Sequence, residues 1–127
     1  MSNKKVKRIH YNKLIRDRVP ITINERGYSC KTSRLSLKRF KQELLKKVDE
    51  EASALPNLNK KQEVTNELAD IIAIINEIKK VFNIKDKDIK IELQKNFKKK
   101  GGFKKRLFLY WSGDINYKTN ERRYPNK

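Results

Sequence analysis

The residues of this chain best suited to chemistry are carboxylates placed where apolar side chains belong. Residues 37–55 carry Leu37, Phe40, Leu44, Val48, Ala52 and Leu55 at spacings of three and four. Residues 60–82 carry Val64, Leu68, Ile71, Ile75, Ile78 and Phe82 in the same way. Each set reads as the apolar stripe of a helix. Glu51, three after Val48 and four before Leu55, falls about 40° from the centre of the first stripe at 100° per residue. Glu67, three after Val64 and four before Ile71, falls inside the second. Asp70 sits one turn on, at the stripe's edge, and Glu50 lies toward the flank of the first helix. Burying a carboxylate costs on the order of several kcal/mol unless it is paired or binds a metal. Lys46 and Lys47 could pair with one or two of these acids. A divalent ion with oxygen ligands would neutralise the rest, and Mg²⁺, which keeps waters and takes substrate phosphates, suits an open cluster.

The elements that must position these acids are helical. Ser36 is the expected N-cap of the first long helix, and Pro56-Asn57 ends it. The run Leu68-Ala-Asp-Ile-Ile-Ala-Ile-Ile is apolar almost all round, which predicts a second helix buried on several sides. A third helix is expected over 87–99, capped by Asp86, with Ile89, Leu93 and Phe97 inward and Gly101-Gly102 as its stop. Upstream, residues 1–12 are a polar start, 13–19 run into Pro20, which starts or stops an element, and Gly27 closes that region before a loop at 28–34. Downstream, Arg106-Leu-Phe-Leu-Tyr-Trp is short and apolar and reads as an extended strand or a last turn. The expected organisation is one all-α domain over residues 1–112 and a basic, mobile tail over 113–127. Three helices leave the Ile-rich one with apolar surface, to be covered by a partner chain or by residues 103–111.

The chain has 127 residues, 36% hydrophobic and 38% charged, a length that suits one domain. No apolar run approaches the length of a membrane span, and no apolar segment follows the basic N-terminus, so neither a membrane helix nor a secretory signal is expected. The lone Cys30 excludes a disulfide framework and argues against a cysteine zinc site; a cytoplasmic setting is expected. Gly101-Gly102 lacks the context of a phosphate loop, and His10 stands alone, so no histidine-based triad is available. The net charge of +18 first suggests a polyanion partner. Yet residues 49–77 hold seven acids and two bases, net −5, which leaves net +23 on the rest. An acidic centre inside a basic chain suits a metal site ringed by phosphate-binding groups; a compositional bias toward Lys, Asn and Ile would account for the charge without function.

Three stretches, in order, resemble one branch of the all-α nucleotide pyrophosphohydrolases, the MazG-like and phosphoribosyl-ATP pyrophosphohydrolase-like group. They are Tyr11-Asn-Lys-Leu-Ile-Arg-Asp-Arg-Val-Pro20, then Glu50-Glu51 with Asn66-Glu-Leu-Ala-Asp-Ile-Ile72, then Lys100-Gly-Gly-Phe-Lys-Lys-Arg-Leu-Phe-Leu109. The middle stretch is similar to that group's EExxE…ExxD signature. The resemblance implies a helical bundle completed by dimerisation, sometimes as a tetramer. It also implies Mg²⁺, with Mn²⁺ as a substitute, and cleavage of a nucleoside triphosphate or related nucleotide to a monophosphate and pyrophosphate. Glu50, Glu51, Glu67 and Asp70 would be the metal ligands and catalytic carboxylates. Lys13, Arg16 and Asp17 of the opening motif would contact substrate, with Asn96, Lys98 and Lys100 as further contacts.

The sequence departs from that pattern at three places. Ala54 stands where the third Glu of EExxE belongs; Glu63, one turn before Glu67, is the candidate substitute, whereas Glu43 lies about two turns from Glu50. Ile21-Thr22 replaces the acid usual after the proline, and Lys100 replaces an arginine. The alternative reading is a binding protein on the same scaffold, its site degraded at Ala54. Tyr110, Trp111, Tyr117 and Tyr124, interleaved with bases, would then stack on RNA or nucleotide bases; otherwise Trp111 packs on the core.

Overall fold

A computed structural model of the chain describes residues 7–117. The described residues form four α-helices and no strand: α1 Val19–Glu25, α2 Leu37–Ala52, α3 Lys61–Val81 and α4 Asp86–Lys100, with a 3-10 turn at Leu55–Asn57. The described residues are all-α. The chain divides into two units, Met1–Ile89 and Lys90–Lys127, and the division falls within α4, upstream of the boundary at 112 read from composition. Tyr124 and residues 118–127 of the expected tail, like residues 1–6, lie outside the described residues.

In the first unit, Pro20 lies in the first turn of α1 rather than ending an element, because its fixed φ and missing N–H fit that turn. Gly27, at φ +86, closes it: Tyr28 N–H donates to Ile23 O and Gly27 N–H to Asn24 O, the paired bonds of a Schellman end. Ser36 caps α2, its hydroxyl accepting from Arg39 N–H at 3.2 Å. α2 stops at Ala52, short of the expected Leu55, because Pro56 has no N–H for the Ala52 carbonyl and disfavours helical Leu55. α3 ends on Asn83 at φ +55, with Ile84 N–H donating to Lys79 O and Asn83 N–H to Lys80 O.

α2 and α3 pack against each other. The pair is antiparallel: Lys41 near the start of α2 sits 5.3 Å from the Phe82 ring beyond the end of α3, while Glu51 near the end of α2 meets Glu67 in the first half of α3. Leu44 and Ile74, 4% and 9% exposed, are the buried apolar residues among those described. Val64, Glu67, Ile71, Ile74, Ile78 and Val81 face inward on α3. This seam lies one residue round from the expected stripe, and Leu68, Ile75 and Phe82 are exposed, as is Leu37 on α2. Periodicity could not choose between two apolar faces of α3, and the face carrying Leu68, Ile72 and Ile75 is left open.

α4 corrects a further expectation. Ile89, Leu93 and Phe97 are exposed rather than inward, and the helix buries none of its residues. Local terms hold it: acids in its first turn and Lys98, Lys99 and Lys100 in its last complement the helix dipole. Its start is braced by Asp88, whose carboxylate accepts from Lys85 N–H at 2.8 Å; Asp86, the expected cap, is the first helical residue. In the second unit, Gly101 ends α4 at φ +79, as its position suggested. Residues 106–111 are neither strand nor helical turn, and Trp111 is 82% exposed rather than packed on a core. No helix of the described residues is long and apolar enough to cross a membrane.

Candidate metal centre

The antiparallel pairing sets the C-terminal half of α2 beside the N-terminal half of α3, and their acids meet. Glu51, Glu67 and Asp70 each offer a carboxylate oxygen within 4.8 Å of the others. All three are half-buried. Glu67 occupies an inward position of α3, between Val64 and Ile71. Its Oε1 is buried with no hydrogen-bond partner among the described residues. The pKa of Glu67 is raised above the ordinary glutamate value. The chief cause is a hydrogen bond with Glu51, followed by desolvation and then the negative charges of Glu51 and Asp70.

Glu50 lies outside this group of three. Lys47 Nζ donates to its Oε1 at 3.0 Å, and Lys13 Nζ lies 3.4 Å from the same oxygen. Desolvation works against its ionisation, but the hydrogen bonds and charges of Lys47 and Lys13 outweigh it, and its pKa is lowered. Lys47 also reaches Glu51 at 3.6 Å, its side chain only 13% exposed. Lys46, the other base expected to pair here, instead meets Glu43 at 3.4 Å.

The opening motif closes over the same acids. Its backbone is irregular from residue 7 to 15, and its bases straddle the helix pair, Lys13 on Glu50 of α2 and Arg16 on Asp70 of α3 at 2.9 Å. Asp17 is exposed and makes no ion pair among the described residues. Asn96, Lys98 and Lys100 are exposed on the part of α4 that belongs to the second unit, and none forms an ion pair among the described residues. Glu63 is exposed and outside the group of three, while Ala54 is half-buried at the turn after α2.

Pairing of Arg16 with Asp70 was not foreseen; no spacing rule links residues 54 apart. The sequence reading aimed Lys13 and Arg16 at phosphates, whereas here they neutralise carboxylates. Four acids, Glu50, Glu51, Glu67 and Asp70, are met by three bases, Lys13, Arg16 and Lys47. Glu67 is the one of the four without an ion pair among the described residues, and its pKa is raised. Three carboxylate oxygens this close, one of them buried without a hydrogen-bond partner among the described residues, are a donor set that a hard divalent cation can take.

Comparison with protein-family models, curated proteins and solved structures gives no match.

Proposed function

We propose that this chain is a divalent-metal-dependent nucleotide pyrophosphohydrolase of the all-α, MazG-like type, acting in the cytoplasm. The observation that carries the reading is Glu67: an acid on an inward helix face, with a buried unpartnered oxygen and two further carboxylates beside it. Glu51, Glu67 and Asp70 would hold Mg²⁺ or Mn²⁺, with Glu50 at their edge. When bound, the ion neutralises phosphate charge and lowers the pKa of a coordinated water. Glu67, whose proton affinity is raised by its neighbours in the metal-free chain, would bind the ion as the carboxylate. Lys47 restrains Glu51, and Lys13 and Arg16 supply cationic donors at the rim suited to phosphate oxygens. Asn96, Lys98 and Lys100 enter as substrate contacts by resemblance alone. A second copy of the chain would cover the open face of α3, where Leu68 and Ile72 are 46% and 54% exposed. Release of pyrophosphate from a panel of nucleoside triphosphates, with Mg²⁺, with EDTA and with Glu67→Ala, tests this.

A second reading is favoured by residues 90–117. This stretch holds eight Lys and Arg against two acids, and Phe103, Tyr110 and Trp111 are 96%, 87% and 82% exposed. Exposed rings among cations suit single-stranded RNA, bound on the same scaffold with or without catalysis. Steep salt dependence of RNA affinity, weakened by deleting residues 113–127, would support it.

A further inference from the structure

We propose that Arg16 is a resident counter-ion of the carboxylate centre, held on Asp70 in the metal-free protein and displaced from it by the divalent ion. The inference rests on the metal reading above and specifies how that site is regulated.

Arg16 Nη2 donates to Asp70 Oδ1 at 2.9 Å, so the guanidinium engages a carboxylate of the group that would bind the ion. A doubly charged cation at Glu51, Glu67 and Asp70 would stand beside a fixed positive charge, and the two repel. The pair is built to yield. The Arg16 side chain is 65% exposed and that of Asp70 37%. An exposed ion pair of this kind is worth about two- to fivefold in an equilibrium constant. The guanidinium can leave without loosening its backbone, because Leu14 and Ile15 are half-buried and Val19 N–H donates to Arg16 O at 3.1 Å.

Lys13 is a natural control. It reaches an acid from the same segment, but that acid is Glu50, which lies outside the three and is also held by Lys47. Lys47 is not equivalent to Arg16 either, since its side chain is only 13% exposed and shared between two acids. Arg16 alone among these bases is both exposed and paired to a carboxylate of the group. Its displacement would free a guanidinium at the rim of the metal-loaded site, where phosphate oxygens are its natural acceptors.

The test uses Mn²⁺ alone, without nucleotide, and reads free Mn²⁺ by electron paramagnetic resonance on the full chain. Arg16→Gln is expected to tighten Mn²⁺ binding about two- to fivefold. Arg16→Lys, which keeps the charge, and Lys13→Gln should both stay nearer to wild type. In the wild-type protein, Mg²⁺ should shift the Arg16 Nε–H resonance toward that of an unpaired guanidinium. Saturable binding in wild type that Arg16→Gln leaves unchanged or weakens overturns the counter-ion role and spares the metal site. Absence of saturable binding in wild type, Arg16→Gln and Lys13→Gln, all shown folded by circular dichroism, overturns the metal reading and this inference with it.

Discussion

Replacing Lys47 by Met probes whether charge balance among the acids at the end of α2 stabilises the fold. Met keeps most of the aliphatic stem and removes the ammonium that bridges Glu50 at 3.0 Å and Glu51 at 3.6 Å. Glu50 is 40% exposed and keeps Lys13, so its share of the loss is that of a surface pair, about 0.5 kcal/mol. Glu51 is 25% exposed and loses its one cationic partner among the described residues, worth about 1 kcal/mol. The expected destabilisation is therefore about 1–2 kcal/mol at neutral pH, read as a shift in urea midpoint at fixed protein concentration with the slope unchanged. Its pH dependence separates charge from packing. Glu50 has a lowered folded pKa, so its stabilisation is present above the ordinary value of 4.5 and is lost as pH falls through the folded value. The gap between wild type and Lys47→Met should close over that acid range. Saturating Mg²⁺ should also narrow it, since the ion takes over part of the neutralisation. A loss that persists unchanged in acid would assign Lys47 to packing, and no loss at neutral pH would refute the charge-balance reasoning.

Three further outcomes follow from the same geometry. Glu67 has a raised folded pKa, so ionising it as pH rises costs stability; Glu67→Gln should gain on wild type above the ordinary glutamate range and match it below, in urea titrations without metal. Ile72→Glu, on the open face of α3, should leave helicity intact and lower the mass seen by sedimentation, whereas an unchanged mass would exclude that face as a subunit contact. Affinity for a single-stranded RNA should fall steeply between low and physiological salt if the basic stretch binds it, and flat dependence would remove that reading.

Much of the helical framework was legible because its signals are local. Ser36, Gly101 and the proline at position 20 act through their own turns, and each is visible in the sequence. Glu51, Glu67 and Asp70 were legible together because two helical periodicities placed them on facing stripes. Three things were not. The seam on α3 depends on which of two apolar faces meets α2, a tertiary choice that a run such as Ile71-Ile-Ala-Ile-Ile leaves open. The exposure of Ile89, Leu93 and Phe97 was hidden because α4 shows a helical pattern while caps and dipole complementarity stabilise it. The placement of Lys13 and Arg16 on Glu50 and Asp70 depends on how an irregular segment folds back over two helices, for which no residue spacing is diagnostic.

The most direct test of the account is pyrophosphate release from nucleoside triphosphates, canonical and modified, by wild type and Glu67→Ala side by side in Mg²⁺ and in EDTA. The account expects release in Mg²⁺ that EDTA abolishes and that Glu67→Ala loses while keeping its helical content. Release that survives EDTA or persists in Glu67→Ala would contradict a catalytic centre built on Glu51, Glu67 and Asp70.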